Sequence, residues 1–237
     1  MYSFDSRIRY SEVGSDSKLT LLSLLNYFQD CAIFHSEDLN VGVEYLSNVC
    51  GVWVMNFWQI DIDRYPLLGE KVTIETHPYD FKMCLGFRNF GLRGEDGVRI
   101  AAANSLWTFL NTETGRPMKP MADMLEKYGM EPADEMEYLD RKIAFEGEGE
   151  RLEAVEIRAH HLDTNHHVNN AHYVGIACDY LPEEFAVCRM RASYHKSAVM
   201  GDVLYPVVYK EKEGSVGVAL CDENGAPYAN VEFCDRK

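Results

Sequence analysis

The sequence predicts an α+β protein made of two consecutive units, in each of which an antiparallel sheet wraps around a long central helix. Three observations lead to this prediction. A one-sided apolar helix pattern occurs twice, alternating strand patterns follow each occurrence, and the turn signals come in the same order in both halves. A helix with one apolar stripe must be covered, and a sheet with one apolar face can cover it. The alternative is one mixed α+β domain without an internal duplication.

The first half opens with the helix pattern. Its apolar residues recur at the spacing of one helical face, at Leu21, Leu24, Leu25, Phe28, Cys31 and Ala32. Alternating apolar residues then predict a strand from Val52 to Ile62. The turns predicted at 68–70 and 94–97 both contain glycine, which supplies the positive φ that many turns require. A long strand from Val98 to Leu110 follows.

The second half repeats this order. Its helix pattern consists of Ala171, Val174, Cys178 and Leu181. A strand is predicted from Met190 to Lys196, and the turn at 200–202 then matches the turn at 68–70. Further on, Gly225 stands in a hairpin signal like that of Gly97. Chance would supply one of these matches far more easily than the whole ordered set.

The boundaries follow from this repeat. We expect a first unit at residues 1–116, a linker at 117–153 and a second unit at 154–237. The linker prediction depends on three prolines and on the acidic run at 146–150, and a short helix pattern lies within it at 121–128.

Composition narrows the choice of partners and compartment. The chain is 46% hydrophobic, which suffices for a buried core, and its formal net charge is −15. Such a charge argues against nucleic acid and against anionic membrane surfaces as partners. No apolar run approaches the roughly 18 residues of a membrane helix, and the first residues lack a secretory signal pattern. The seven scattered cysteines form no CxxC pair, so we expect reduced thiols and a cytoplasmic protein.

The densest set of reactive side chains lies in the segment 162–170, where a strand ends and the second helix begins. Asn169 or Asn170 is suited to cap that helix, so the backbone N–H groups of its first turn would point outward there. A helix N-terminus favours negative charge, such as the charge that develops on a reacting carbonyl oxygen. The segment therefore predicts a catalytic site at the start of the second helix.

Three side chains in this segment suit the handling of a proton and a carbonyl. His167 can move a proton near neutral pH, Asp163 can orient an imidazole or a water, and Asn165 can donate an amide N–H or position a nucleophile. The matching place in the first half, Gly14 to Thr20, contains no histidine or asparagine. We therefore expect one site per chain.

These residues resemble a known motif, Asp-x-Asn-x-His-Val-Asn-Asn. It is filled by Asp163, Asn165, His167, Val168, Asn169 and Asn170. Supporting segments are Trp53, Tyr65-Pro66 with Gly69, and Ser105-Leu106-Trp107. Together they make the chain similar to the acyl-acyl carrier protein thioesterases of plants and bacteria, over almost its whole length.

The resemblance implies a fold, a reaction and a set of roles. The fold would be a double hotdog, two tandem hotdog folds, with the acyl pocket shaped by the first half. The reaction would be hydrolysis of a fatty acyl thioester on acyl carrier protein by activated water, without a metal or an organic cofactor. The catalytic residues would be Asp163, Asn165 and His167. The substrate-binding residues would be Asn169, Asn170, Trp53 and Trp58.

One position departs from the family pattern. Many plant members carry a Glu-Cys pair on a strand of the second half, and alignment places Ser197 and Ala198 there. This excludes a cysteine nucleophile at that place and favours direct attack by water. A lone serine such as Ser197 is more often a turn or surface hydroxyl than a catalytic one.

Two less specific interpretations concern single residue types. Five of the eight histidines lie between His160 and His172, and a metal site is conceivable because imidazole is a common ligand. Adjacent histidines point apart on a strand and no cysteine accompanies them at a helpful spacing, so we expect no metal. Cys178 falls on the apolar face of the helix, where a packed thiol is the expected state.

The partner, the function and the oligomeric state each leave an alternative open. Acyl carrier protein is strongly acidic, so a chain of this charge would need a local basic face to bind it. Candidates for such a face are Arg116, Lys119, Arg141, Lys142, Arg189, Arg191 and Lys196. An acyl-CoA thioesterase and a non-catalytic acyl-binding protein are the competing functions. A homodimer is as compatible with the sequence as a monomer.

Overall fold

The computed structural model describes residues 1–210 and 214–236. The chain divides into two compact units. The first consists of Met1–Asn56 and Ile62–Tyr138, and the second consists of Phe57–Asp61 together with the chain from Leu139 onward. Each unit contains an antiparallel sheet and at least one helix, so the predicted α+β class is confirmed.

The first unit is a sheet with one long helix packed on it. Its elements are β1 (Tyr2–Arg7), α1 (Leu21–Asp38), α2 (Val43–Asn48), β2 (Gly51–Ile62), β3 (Lys71–Lys82), β4 (Leu85–Gly94), β5 (Arg99–Asn111) and α3 (Ala122–Tyr128). The strand order is β1-β3-β4-β5-β2, and β1/β3, β3/β4 and β4/β5 pair antiparallel.

Helix α1 is the predicted amphipathic helix of the first half. Thr20 caps it, because its Oγ1 accepts a hydrogen bond from the N–H of Ser23 at 3.1 Å. The predicted apolar residues form its buried face, and Phe28 packs against Phe90 of β4 with the ring centroids 5.4 Å apart. Burial of this stripe against β3 and β4 accounts for the stability of the long helix.

The second unit has the same kind of sheet. Its elements are β6 (Glu150–Arg151), β7 (Val155–Glu156), α4 (Asn170–Cys178), β8 (Val187–Tyr194), β9 (Val203–Lys210), β10 (Ser215–Cys221) and β11 (Pro227–Asp235). The stretch Phe57–Asp61 of β2 pairs with β8, and the order continues β11-β10-β9-β6, with β7 also on β9. All of these pairings are antiparallel.

The helices differ in length more than the repeat suggests. Helix α1 has 18 residues and α4 has nine, so the second central helix is shorter than predicted. Leu181 lies beyond the end of α4, because Pro182 disfavours the helical conformation of the residue before it. Within the described residues, no helix combines the length and the apolar character needed to cross a membrane.

The predicted turns are confirmed in both halves. Gly69 and Gly201 have φ values of +84° and +85°, and Gly97 and Gly225 have φ values of +75° and +84°. A side chain at such a φ is strained, which explains why glycine recurs at the same places in the two sequences.

The segment after residue 117 is tied to the first sheet. It contains α3, and the backbone N–H of Asp134 donates to the Asn89 side chain at 3.0 Å. The hydroxyl of Tyr138 donates to the same Asn89 oxygen at 3.0 Å, and Asn89 is fully buried. The first unit thus runs on to Tyr138, inside the segment that the sequence indicates as a linker.

Candidate active site

The segment 162–168 forms a closed loop immediately before α4. Leu162 and Val168 face each other in a β-bridge. The N–H of Asp163 donates to the carbonyl of His167 at 2.8 Å, and the N–H of His166 donates to the carbonyl of Asp163 at 3.1 Å. His166 adopts a φ of +60°, which reverses the chain and closes the loop.

The carboxylate of Asp163 holds this loop together. Its Oδ1 accepts hydrogen bonds from the backbone N–H of Asn165 at 2.8 Å and of His167 at 3.2 Å. No hydrogen bond joins the carboxylate to the His167 imidazole within the described residues. Asp163 therefore holds the backbone that carries Asn165 and His167. Its predicted role in orienting an imidazole or a water stays a prediction.

The side chains of Asn165 and His167 are exposed. Neither side chain makes a hydrogen bond to another residue in the described parts of the chain, so both are available to a water or a substrate. The backbone of His167 is fixed by its bridge to Val199. The loop thus has a fixed backbone, and the polar side chains of Asn165 and His167 make no hydrogen bonds to the described residues.

The start of α4 confirms the predicted cap. The Asn169 Oδ1 accepts a hydrogen bond from the N–H of Ala171 at 2.9 Å. The carbonyl of Asn170 accepts a hydrogen bond from the hydroxyl of Tyr194 at 3.0 Å. Both residues have a structural role at the helix start, and their predicted contact with a substrate stays a prediction.

The buried Tyr173 is connected to the loop through Ala198. The N–H of Val168 donates to the carbonyl of Ala198 at 2.9 Å, and the N–H of Ala198 donates to the hydroxyl of Tyr173 at 2.7 Å. Burial raises the pKa of Tyr173 to about 12, so its hydroxyl stays protonated. The sequence does not indicate this contact, since the partner of Tyr173 lies 25 residues away.

The same loop occurs in the first unit with other side chains. There the N–H of Gly14 donates to the carbonyl of Lys18 at 2.9 Å, and the N–H of Ser17 donates to the carbonyl of Gly14 at 3.0 Å. Ser17 has a φ of +60°, equal to that of His166. Asp16 takes over the anchoring, because its Oδ1 accepts the N–H of Lys18 at 3.1 Å. This backbone conformation therefore requires neither the asparagine nor the histidine of the second loop.

Three other histidines of this region, His160, His161 and His172, pack on one another. The rings of His160 and His161 are 4.0 Å apart, and those of His161 and His172 are 5.5 Å apart. Burial, together with the charge of His160, lowers the pKa of both His161 and His172. Among the described residues, no three His, Cys, Asp or Glu side chains are placed to hold a metal ion.

The thiol of Cys178 in α4 is protonated, which makes it a poor nucleophile. Burial raises the pKa of the Cys178 thiol to about 12. The thiolate is the nucleophilic form of cysteine, so this side chain is protonated at neutral pH. The interpretation of Cys178 as a packed thiol agrees with this environment.

The two predicted tryptophans lie in β2 but in different units. Trp53 is half-buried in the first unit, 4.8 Å from the ring of Phe109 and 6.1 Å from that of Phe81. Trp58 is fully buried in the second unit. Their predicted contact with a substrate stays a prediction.

Three of the candidate basic residues are neutralised by acidic neighbours. Arg189 pairs with Asp61 of the same unit, across the β2/β8 pairing. Arg191 pairs with Glu232 at 2.6 Å. Lys196 pairs with Asp222 at 2.5 Å. These ion pairs reduce the positive charge that the second unit can offer to an acidic partner.

The fold and the capped loop define a protein of two hotdog units in tandem. The chain belongs to the acyl-ACP thioesterase family. Residues 1–128 match the acyl-ACP thioesterase N-terminal domain, and residues 146–231 match the acyl-ACP thioesterase C-terminal domain. The resemblance inferred from the motif is thereby confirmed.

Solved structures confirm the fold. A structure of an acyl-ACP thioesterase from Bacteroides thetaiotaomicron superposes with a TM-score of 0.88 at 21% identity, covering 98% of this chain and 96% of the other. The 12:0-ACP thioesterase from Umbellularia californica gives a TM-score of 0.81 at 21% identity, covering 99% and 97%. At this identity the likeness establishes the hotdog fold.

Two curated relatives from plants are similar to this chain over most of its length. A chloroplastic acyl-[acyl-carrier-protein] hydrolase from Cuphea viscosissima is 25% identical over 84% of this chain and 52% of its own length. A chloroplastic oleoyl-acyl carrier protein thioesterase from Arabidopsis thaliana is 24% identical over 75% of this chain and 54% of its own length. The chain therefore spans about half the length of the curated relatives it matches.

Proposed function

We propose that this protein hydrolyses fatty acyl thioesters of acyl carrier protein, releasing a free fatty acid and the carrier thiol. The reaction takes place at the loop before α4. Asn165 and His167 are the catalytic residues, and Asp163 is the positioning residue that fixes their backbone. Family membership supports the reaction class, and the names of the plant relatives support the substrate.

One observation supports this assignment of the site above the others. The loops at 14–18 and 163–167 share their hydrogen bonds and their positive φ, yet only the second carries an amide and an imidazole at exposed positions. The first loop adopts this backbone conformation with Asp16 and Lys18 at the equivalent positions. The conformation therefore does not require Asn165 and His167 in the second loop. A reaction gives a reason for these side chains that the fold does not.

The chemistry follows from the two free side chains. The neutral imidazole of His167 accepts a proton from water as the water oxygen bonds to the thioester carbonyl carbon. The amide N–H of Asn165 and the N-terminus of α4 stabilise the oxyanion that forms on the carbonyl oxygen. The carbon–sulfur bond then breaks, and the imidazolium returns its proton to the leaving thiolate.

Direct attack by water fits the state of two positions in the second unit that could otherwise supply a nucleophile. Ala198, at the place of the family's cysteine, has no nucleophilic atom in its side chain and is fully buried. Burial raises the pKa of Cys178 to about 12, which keeps that thiol protonated. Within the described residues, neither position offers a thiolate for a covalent intermediate.

The test compares variants and substrates in one experiment. We expect purified wild-type protein to hydrolyse acyl-acyl carrier protein with a higher kcat/KM than the matched acyl-CoA. His167→Ala should lower kcat by roughly 100-fold or more, the usual contribution of general base catalysis. His166→Asn is the matched control, because asparagine tolerates the positive φ at that position.

Each part of the proposal has its own contrary result. Undiminished hydrolysis by His167→Ala would show that the reaction occurs elsewhere in the chain. A higher kcat/KM for acyl-CoA would assign the protein to the second candidate function. Acyl binding without turnover by the wild type would identify a non-catalytic binding protein.

A further inference from the structure

A buried arginine in the first unit lacks a carboxylate partner. Arg88 lies on β4 and keeps only 7% of its surface exposed. It has the same parity along the strand as Phe90 and Leu92, so it lies on the face that packs against α1. Among the described residues, no Asp or Glu side chain forms an ion pair with it. Buried charges are normally paired, so this arginine requires an explanation.

One terminal nitrogen of Arg88 is fully engaged. Its Nη1 lies 3.0 Å from the Nδ1 of His35 and donates to the Oγ1 of Thr76 at 3.2 Å. The guanidinium carbon lies 5.3 Å above the ring centre of Tyr128. These contacts involve Nη1 and one face of the guanidinium, and none of them involves Nε or Nη2.

The edge formed by Nε and Nη2 has no acceptor among the described residues. In three other arginines of this chain the same two atoms bind one carboxylate group. These pairs are Arg9–Glu12, Arg93–Glu75 and Arg191–Glu232. In Arg93 both distances to the carboxylate are 2.9 Å. The fork geometry of guanidinium matches a carboxylate, so Arg88 presents a prepared and unused binding edge.

Burial also makes the charge of Arg88 costly. It lowers the pKa of the guanidinium, although arginine remains protonated in proteins. Burial and the Arg88 charge lower the pKa of His35 to about 4, so this imidazole is neutral and offers the guanidinium no compensating charge. An anion bound at the free edge would offset this cost, whereas a neutral group would do so less well.

Apolar rings continue from Arg88. Tyr128 lies 6.2 Å from Phe81, and Phe81 lies 6.1 Å from Trp53, with all three side chains half-buried. Gly86 faces this row closely, because a Cβ at that position would lie 3.0 Å from the Trp53 ring. A charged group next to a row of partly exposed rings suits a ligand with an anionic end and an alkyl chain.

We propose that the Nε/Nη2 edge of Arg88 binds the carboxylate of an alkyl carboxylate whose chain lies along Tyr128, Phe81 and Trp53. Two ligands carry this chemistry, a free fatty acid and an acyl group with a second carboxylate at its far end. The inference does not depend on the hydrolysis of a thioester, since it concerns binding by the first unit.

Calorimetric titration of the wild-type protein tests the carboxylate preference without any substitution. We expect decanoate to bind roughly 10-fold or more tightly than decan-1-ol, as a charge-assisted pair of hydrogen bonds predicts. A non-hydrolysable amide analogue of decanoyl-pantetheine, with and without a carboxylate at its far end, separates the two sources. Preference for the carboxylated analogue identifies the acyl group, and a preference confined to decanoate identifies the free acid.

Substitutions then locate the site. Arg88→Lys keeps the charge but removes the two-pronged hydrogen bonding, so the preference for decanoate over decan-1-ol should become several-fold smaller. Arg93→Lys is the matched control on the same strand and should leave the preference unchanged. The proposal is wrong if wild-type protein binds decanoate and decan-1-ol equally, or if Arg88→Lys, folded as judged by its Tm, retains the full preference.

Discussion

The hydroxyl of Tyr173 accepts a hydrogen bond from the backbone N–H of Ala198 at 2.7 Å, and both residues are buried. The carbonyl of Ala198 accepts the N–H of Val168, which ends the loop before α4. Ala198 therefore contacts both α4 and this loop. Tyr173 thereby ties the helix and the loop to one support.

Removal of that hydroxyl should therefore affect both stability and activity. Tyr173→Phe leaves a buried N–H without its acceptor, which costs about 1–3 kcal/mol of unfolding free energy. Urea unfolding measures this loss, and kcat should fall because the loop loses its support. Tyr10→Phe is the control, since Tyr10 is 84% exposed. Equal stability of Tyr173→Phe and wild type would show that the N–H finds another acceptor.

Asp163 should matter for folding of the loop as much as for the reaction. Asp163→Ala deprives two backbone N–H groups of their acceptor and should destabilise the protein by roughly 1–3 kcal/mol. Asp163→Asn retains one oxygen acceptor and should lose less. Thermal unfolding of the two variants checks this order. If Asp163→Asn loses all activity while its Tm is unchanged, the charge acts in the reaction itself.

Stability should fall on acidification because of His35. Burial, and next the charge of Arg88, lower the pKa of His35 to about 4, whereas an unfolded histidine titrates near 6.5. Between these values the unfolded chain binds a proton that the folded chain excludes. The folded state thus loses roughly 3 kcal/mol as the pH falls from about 6.5 to 4. Urea unfolding at several pH values measures this slope.

The variant His35→Gln isolates this contribution. Glutamine offers Arg88 a neutral acceptor and cannot be protonated in this range, so its stability should fall less steeply with acidification. The control is His160→Gln in the second unit. An identical slope for His35→Gln and wild type would place the acid sensitivity in other groups.

The thiol of α4 should be dispensable. Cys178→Ser replaces a protonated, packed thiol with a hydroxyl, so kcat should be retained even where stability decreases slightly. Steady-state kinetics on the acyl carrier protein substrate, with kcat normalised to folded protein, provides the measurement. Loss of kcat in a stable Cys178→Ser protein would argue for a covalent intermediate.

Local sequence signals predicted the repeated architecture well. Gly69 and Gly201 adopt a backbone conformation that only a residue without Cβ adopts easily. The two turns could therefore be predicted from the sequence alone. The Asn169 cap was predictable for the same kind of reason, because capping depends on residues two positions apart. The shorter α4 was missed, since an apolar residue at the right spacing continued the pattern to Leu181.

Long-range partners could not be predicted. Asp163 accepts hydrogen bonds from N–H groups two and four residues later only because the loop closes. In the sequence, the same spacing is compatible with several other roles of the carboxylate. Arg88 is indistinguishable in sequence from surface arginines such as Arg93, because burial depends on how α1 packs. Cytoplasmic localisation, a homodimer and the boundaries at 116 and 153 stay predictions.

The loop at residues 14–18 has the same backbone conformation as the loop at 163–167 and can replace it in an experiment. Gly14 to Lys18 is a sequence already accepted by this backbone, and it brings its own anchor in Asp16. Transplanting these five residues onto positions 163–167 should give a folded chain that lacks Asn165 and His167. Such a chimera separates the backbone conformation of the loop from its side-chain chemistry, and under the proposed function it should bind an acyl thioester without hydrolysing it.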